Sequence, residues 1–156
     1  MEIEFTIITQ NRKLLYQYLK NLPKDELFKI PERFNNNIWW NIAHVVVTQQ
    51  LLVYGLSGQP LQISETLVSK YQKGTVPESK PSNLEVEEIT SLLFSLPEQT
   101  KTAYEQGTFK NFKPYMTTPK VELKSVEDAI AFNNFHEGLH LGSIMALTRA
   151  VKKQQA

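Results

Sequence analysis

The chain has 156 residues, 41% of them hydrophobic and 10% aromatic, with 17 basic against 16 acidic side chains and no cysteine. That is apolar material for one folded domain over 1–156 and too much for a disordered chain, while a net charge of +1 gives no field to gather nucleic acid or an anionic membrane surface. The absence of cysteine excludes disulfides, thiolate zinc sites, cysteine nucleophiles and iron–sulfur clusters, so a metal would have to be held by His, Asp or Glu.

The start, Met1-Glu2-Ile3-Glu4-Phe5, is acidic and lacks the basic region of a secretion signal, which makes a cytoplasmic protein the expectation. From about Glu4 to Leu22, Ile8, Leu15, Leu19 and Leu22 recur at helical spacing with Ile7, Leu14 and Tyr18 beside them. Pro23 should stop this first helix, and Pro31 should keep the following connection out of helix. Asn35-Asn36-Asn37 offers caps for a second helix that runs to about Leu56 and ends at Ser57-Gly58-Gln59-Pro60. Val45-Val46-Val47 would suit a strand, yet the polar residues Asn41, His44 and Thr48 recur at helical spacing. The same polar residues break up this most apolar stretch, so no membrane-spanning segment is expected.

Residues 61–81 contain Pro77 and Pro81, with a short helix expected near Ser64 to Tyr71; this length suits a crossover connection better than a tight hairpin. Ser82 and Glu85 form a capping box that opens a third helix, with Leu84, Ile89, Leu92, Leu93 and Leu96 on its apolar side. Pro97 should kink it, or else break it with a restart at Ser95 and Glu98. The aromatic stretch 107–124, with Phe109, Phe112, Tyr115 and Met116, reads as an ordered loop. It serves either to roof a pocket or as a satellite apolar cluster. Ser125, followed by Glu127 and Asp128, opens a last helix that ends near Arg149, Lys152 and Lys153, where positive charge complements the helix dipole. The expected fold is therefore all-α, a four-helix bundle with a long crossover between the second and third helices.

The three histidines are His44, His136 and His140. The last two lie one helical turn apart, a spacing that lets two imidazoles share a metal. The inner stripe of the last helix is expected to run through Val126, Ala129 or Ile130, Asn133, His136, His140, Ser143 or Ile144, Leu147 and Val151. His44 falls between Trp40, Val47 and Leu51 on the second helix. Unpaired buried imidazoles are costly, and gathering all three round one cation relieves that cost. His136-Glu137-Gly138-Leu139-His140 also spells the His-Glu-x-x-His of zinc peptidases, but the residues after His140 contain no His, Asp or Glu to complete such a site. A third ligand has to come from upstream, where His44 is available. Glu137, about 100° round the helix from His136, is expected at an exposed or rim position.

The segments Trp39-Trp40-Asn41-Ile42-Ala43-His44 and His136-Glu137-Gly138-Leu139-His140-Leu141-Gly142-Ser143-Ile144 resemble those of the DinB-like (YfiT-like) superfamily of four-helix-bundle metalloenzymes. The likeness extends over nearly the whole chain in helix order and length. It implies a bundle of unusual helix order, His44, His136 and His140 as ligands of a divalent ion such as zinc, nickel or iron, and frequently a homodimer. From the sequence itself, Trp39 or the exposed flank of an outer helix is the candidate dimer contact. Relatives include transferases and isomerases that use the low-molecular-weight thiols bacillithiol or mycothiol, and hydrolase-like members. On that basis the expectation is a metal-dependent transferase or hydrolase acting on a small molecule. Asn133, Asn41 and Tyr115 are candidates for supporting the ligands or contacting substrate. The competing expectation is a non-catalytic bundle whose metal is structural, or whose groove serves another ligand or partner.

Overall fold

The computed structural model describes residues 1–153, the last of them by its backbone alone. The first helix, α1 (Glu2–Asn21), buries Phe5, Ile8, Arg12 and Leu15, and stops where Leu22 turns extended ahead of Pro23. Ile7 and Leu14 face outward instead. The stretch ahead of Pro31 is not free of helix as expected. Pro23 presets the backbone for a five-residue helix, α2 (Lys24–Phe28), which ends before the proline restriction takes hold.

Helix α3 (Ile38–Gln50) begins at Asn37, whose side-chain oxygen accepts the Trp40 backbone N–H at 2.7 Å. It is buried on nearly every side, which is how Val45, Val46 and Val47 are held in helix against their local preference. The rod continues through Leu51–Gly55 as a π turn with wider-spaced backbone bonds, and so reaches the expected end near Leu56 with one residue more per turn. Ser64 caps the short α4 (Glu65–Tyr71), and Ser82 accepts from the Glu85 N–H to open α5 (Asn83–Glu105). Helix α5 runs unbroken through a buried Pro97, so the restart at Ser95 does not occur. Its apolar side consists of Ile89, Leu93 and Leu96, whereas Leu84 is 77% exposed in the first turn.

The aromatic loop folds into a two-stranded antiparallel hairpin, β1 (Tyr115–Met116) and β2 (Glu122–Leu123). Ser125 then caps α6 (Val126–Lys153) by accepting from the Asp128 N–H at 3.2 Å. Arg149 and Lys152 lie exposed near its end, and the side chain of Lys153 lies outside the described residues. The four long helices close a ring of contacts in which α1 packs on α5 and α6, and α3 packs on α6 and α5. Two apolar clusters fill it. One is centred on α3, and the other gathers Phe5, Ile8, Leu52, Tyr54, Leu123 and Ile130 near the hairpin. Phe109 and Phe112 pack against the second cluster, with Phe109 edge-on to Tyr54 at 5.1 Å.

Candidate metal centre

Helix α6 carries polar groups on two of its faces. The fully buried face holds Asn133 and Glu137, above Ile144, Leu147 and Val151. His136 and His140 flank it, half-buried, and Ser143 is exposed, so the inner stripe passes through Glu137 where the histidines were expected. Glu137 is not a rim residue. Arg12 of α1 donates through Nε (3.1 Å) and Nη2 (2.7 Å) to Glu137 Oε1, which also accepts from Asn133 Nδ2 at 2.8 Å. Both members of the ion pair are essentially inaccessible to solvent, at 1% and 0%. Neither charge could be buried without the other. Arg12 went unread in the sequence, although a signal was present: Phe5, Ile8, Arg12 and Leu15 form one helical stripe in which a single ionisable residue stands among apolar ones.

On the flanking face the three imidazoles converge. Ring centroids lie 4.5 Å apart for His136 and His140, 4.7 Å for His44 and His140, and 5.2 Å for His44 and His136. Each ring offers one nitrogen such that all three atoms lie within 4.8 Å of one another. Two bonds of about 2 Å span at most about 4 Å, so the rings would draw somewhat closer round a shared ion.

The surroundings fix the proton on two of the rings. Asn41 donates through Nδ2 to Asn36 Oδ1 (2.9 Å) and to the Asn37 carbonyl (2.8 Å), so its oxygen is the atom turned to His140 Nδ1, 2.7 Å away. His140 Nδ1 must therefore donate, which leaves Nε2 with a free lone pair. His44 Nδ1 lies 2.6 Å from the Tyr71 carbonyl, which can only accept; its Nε2 is likewise the lone-pair nitrogen, with Thr48 Oγ1 at 3.2 Å. The indole of Trp40 stacks on His44 at 4.5 Å and 11°, and is itself tied through Nε1 to Thr75 Oγ1 at 3.1 Å. His136 differs, because its buried Nδ1 has no partner among the described residues.

Burial keeps all three rings neutral, the form that ligates metal. His136 is pushed down to about 3, first by desolvation and then by its histidine neighbours and Arg12. Desolvation with the charge of His44 lowers His140 to about 4, and desolvation lowers His44 against the pull of the Tyr71 carbonyl. The donor set is three neutral nitrogens with two tautomers held from behind, which fits a borderline divalent ion such as zinc, nickel or iron.

The imidazoles open onto a cavity of about 750 Å³. Tyr115 lies on its wall, and Asn41 stands behind His140. Asn133 does not line it but holds Glu137 on the core face. The part of the aromatic loop that reaches the cavity is Tyr115 to Pro119, while Phe109 and Phe112 belong to the second apolar cluster.

The sequence profile of the DinB superfamily matches residues 7–144. The chain belongs to the DinB superfamily. A solved structure of a conserved protein from Enterococcus faecalis superposes with a TM-score of 0.58 at 14% identity, covering 97% of this chain and 96% of that one. At that identity the likeness is one of fold. No curated protein matches the chain in sequence. No described helix is long and apolar enough to cross a membrane.

Proposed function

We propose that this DinB-superfamily protein holds one divalent transition metal through His44, His136 and His140, and uses it as a transferase or hydrolase of a small molecule, with a low-molecular-weight thiol as co-substrate in the transferase case. The observation that carries this reading is the convergence of three neutral imidazoles at the wall of a cavity, two of them with Nδ1 protons tied back to fixed acceptors. A structural site is normally closed by four protein ligands, whereas three histidines leave a position open. A metal there would supply Lewis-acid chemistry, easing loss of a proton from a thiol or a water.

The protein's own groups prepare that chemistry. Tyr71 and Asn41 orient the His44 and His140 rings, and Trp40 stops His44 from turning. The apolar walls lower the local polarity beside the imidazoles, which strengthens electrostatic contacts there. Tyr115 and Thr48 bring hydroxyl groups to the cavity for orienting a substrate.

Elemental analysis of protein purified without a polyhistidine tag tests the metal, with near-stoichiometric zinc, nickel or iron expected. His140→Ala should reduce metal content to background while the metal-free fold persists. A transfer and hydrolysis screen against glutathione or bacillithiol and small electrophiles should then show turnover in the wild type and not in His140→Ala. Equal rates in both would leave a structural bundle as the better description.

A further inference from the structure

The lining of the cavity beside the three histidines is selective. Leu51, Leu52, Leu56, Phe132, Phe135 and Leu139 supply most of its surface. Phe135 and Leu139 stand one turn apart on α6 and are 51% and 55% exposed, so the apolar wall continues to the outer edge. Polar groups there are few: the imidazoles at one side, the hydroxyls of Thr48, Thr117, Thr118 and Tyr115, and a single cation, Lys73. Among the described residues no carboxylate lines the space. Lys73 is exposed, donates from Nζ to Thr118 Oγ1 at 2.8 Å, and has no acidic partner among the described residues. A second cavity of about 440 Å³ is lined differently, with Gln59, Gln62, Glu98, Gln99 and Gln106 set among Tyr54, Pro60 and Ala103.

Apolar walls reward an apolar body, and each buried methylene contributes roughly a fourfold gain in affinity. A polar, multiply charged ligand would leave most of its groups facing leucine and phenylalanine without partners. The lone cation, with no acidic neighbour in the lining to cancel it, favours one negative charge at the Lys73 side. The reacting end would then lie at the histidines.

We infer that the substrate filling this cavity is an apolar monoanion, an aliphatic or aryl chain of medium length carrying one negatively charged group that meets Lys73 near the cavity edge. This rests on the proposed metal-dependent activity only for calling the ligand a substrate; the binding preference stands on the lining itself.

Alkanesulfonates are suitable probes, because a sulfonate pairs with an ammonium group but is a poor ligand for transition metals. Calorimetric titration would compare butane-1-sulfonate, octane-1-sulfonate and octan-1-ol on the full-length protein, chelator-treated and zinc-loaded, in wild type and Lys73→Ala. The octyl anion should bind more than thirtyfold tighter than the butyl anion. Lys73→Ala should weaken the octyl anion about fivefold, as expected for a partly exposed ion pair, and leave octan-1-ol within a factor of two. Affinity independent of chain length, or an anion unaffected by Lys73→Ala, overturns the inference, as does glutathione binding more tightly than octane-1-sulfonate. The stated pattern in a protein that takes up no zinc supports the binding preference and removes the metal reading instead.

Discussion

Two faces of one helix, a single residue apart, solve the same physical problem in opposite ways. On the core face of α6, Glu137 is charged and meets the Arg12 charge, with Asn133 filling in, and the group is sealed from solvent. On the adjoining face His136 and His140 are neutral, half-buried, and share a common space with His44. The first arrangement is sealed from solvent: Oε1 of Glu137 accepts three donors, and Arg12 also reaches toward the Val45 carbonyl at 3.5 Å on α3, while Glu137 Oε2, Arg12 Nη1 and Asn133 Oδ1 find no partner among the described residues. The second faces a cavity with lone pairs unspent. A buried charge with its partner ties helices together, while neutral imidazoles turned to a cavity equip a site; the motif His136-Glu137-x-x-His140 carries both arrangements, side by side.

The largest effect should come from the closed face. Glu137→Ala leaves the Arg12 guanidinium buried without its counter-charge and should cost about 3–5 kcal/mol in urea unfolding. The double change Arg12→Met with Glu137→Leu should recover most of that loss. If Glu137→Ala is nearly neutral, the ion pair does not hold α1 to α6 and the contrast between the faces collapses. Next comes the open face: Asn41→Ala frees the His140 ring and should weaken zinc binding 10- to 100-fold by competition titration, and the loss of its bonds to Asn36 and Asn37 should cost the metal-free protein about 1–3 kcal/mol.

A pH titration separates the faces further. Unfolded imidazoles protonate near 6.5, whereas folded His140 does so at about 4 and folded His136 at about 3. Between those values the unfolded state carries more protons. The metal-free protein should therefore have its full histidine contribution above pH 6.5 and lose it progressively as pH falls toward 3. Changing all three histidines to glutamine should flatten that slope. The smallest effect belongs to the outer face, where a Cβ on Gly142 would meet nothing within 4 Å. Gly142→Ala should stabilise the helix by about 0.5–1 kcal/mol in thermal melts, and a loss instead would reveal something packed on that face.

The long helices were legible because their start signals are local. Asn37, Ser82 and Ser125 each cap the long helix that follows and Ser64 the short α4, whereas α1 has no side-chain cap and was legible from its apolar spacing alone. The histidine cluster was legible because one pair repeats at a helical turn and one further imidazole remains to join it. What escaped depended on partners distant in sequence. Glu137 looks like a surface residue until Arg12, 125 positions away, is set against it, and periodicity alone cannot rank two adjoining stripes of one helix. The five-residue α2 is too short to show a period, and the path through Pro97 was decided by packing rather than by the proline itself. The likeness in fold to a chain only 14% identical shows the same thing from outside, since an architecture survives when most individual contacts have been replaced.

The π turn at Leu51–Gly55 has a consequence for how the cavity can diversify. It follows immediately after the stretch of α3 that bears His44, and it supplies Leu51, Leu52 and Gly55 to the wall. An extra residue in a helix rotates everything beyond it by about 100°, so gaining or losing one there would swap the side chains facing the ligand while leaving the imidazole upstream in place. The part of the wall borne by the π turn and the imidazole of His44 thus sit on opposite sides of a rotary joint, where one inserted or deleted residue re-faces the one without displacing the other.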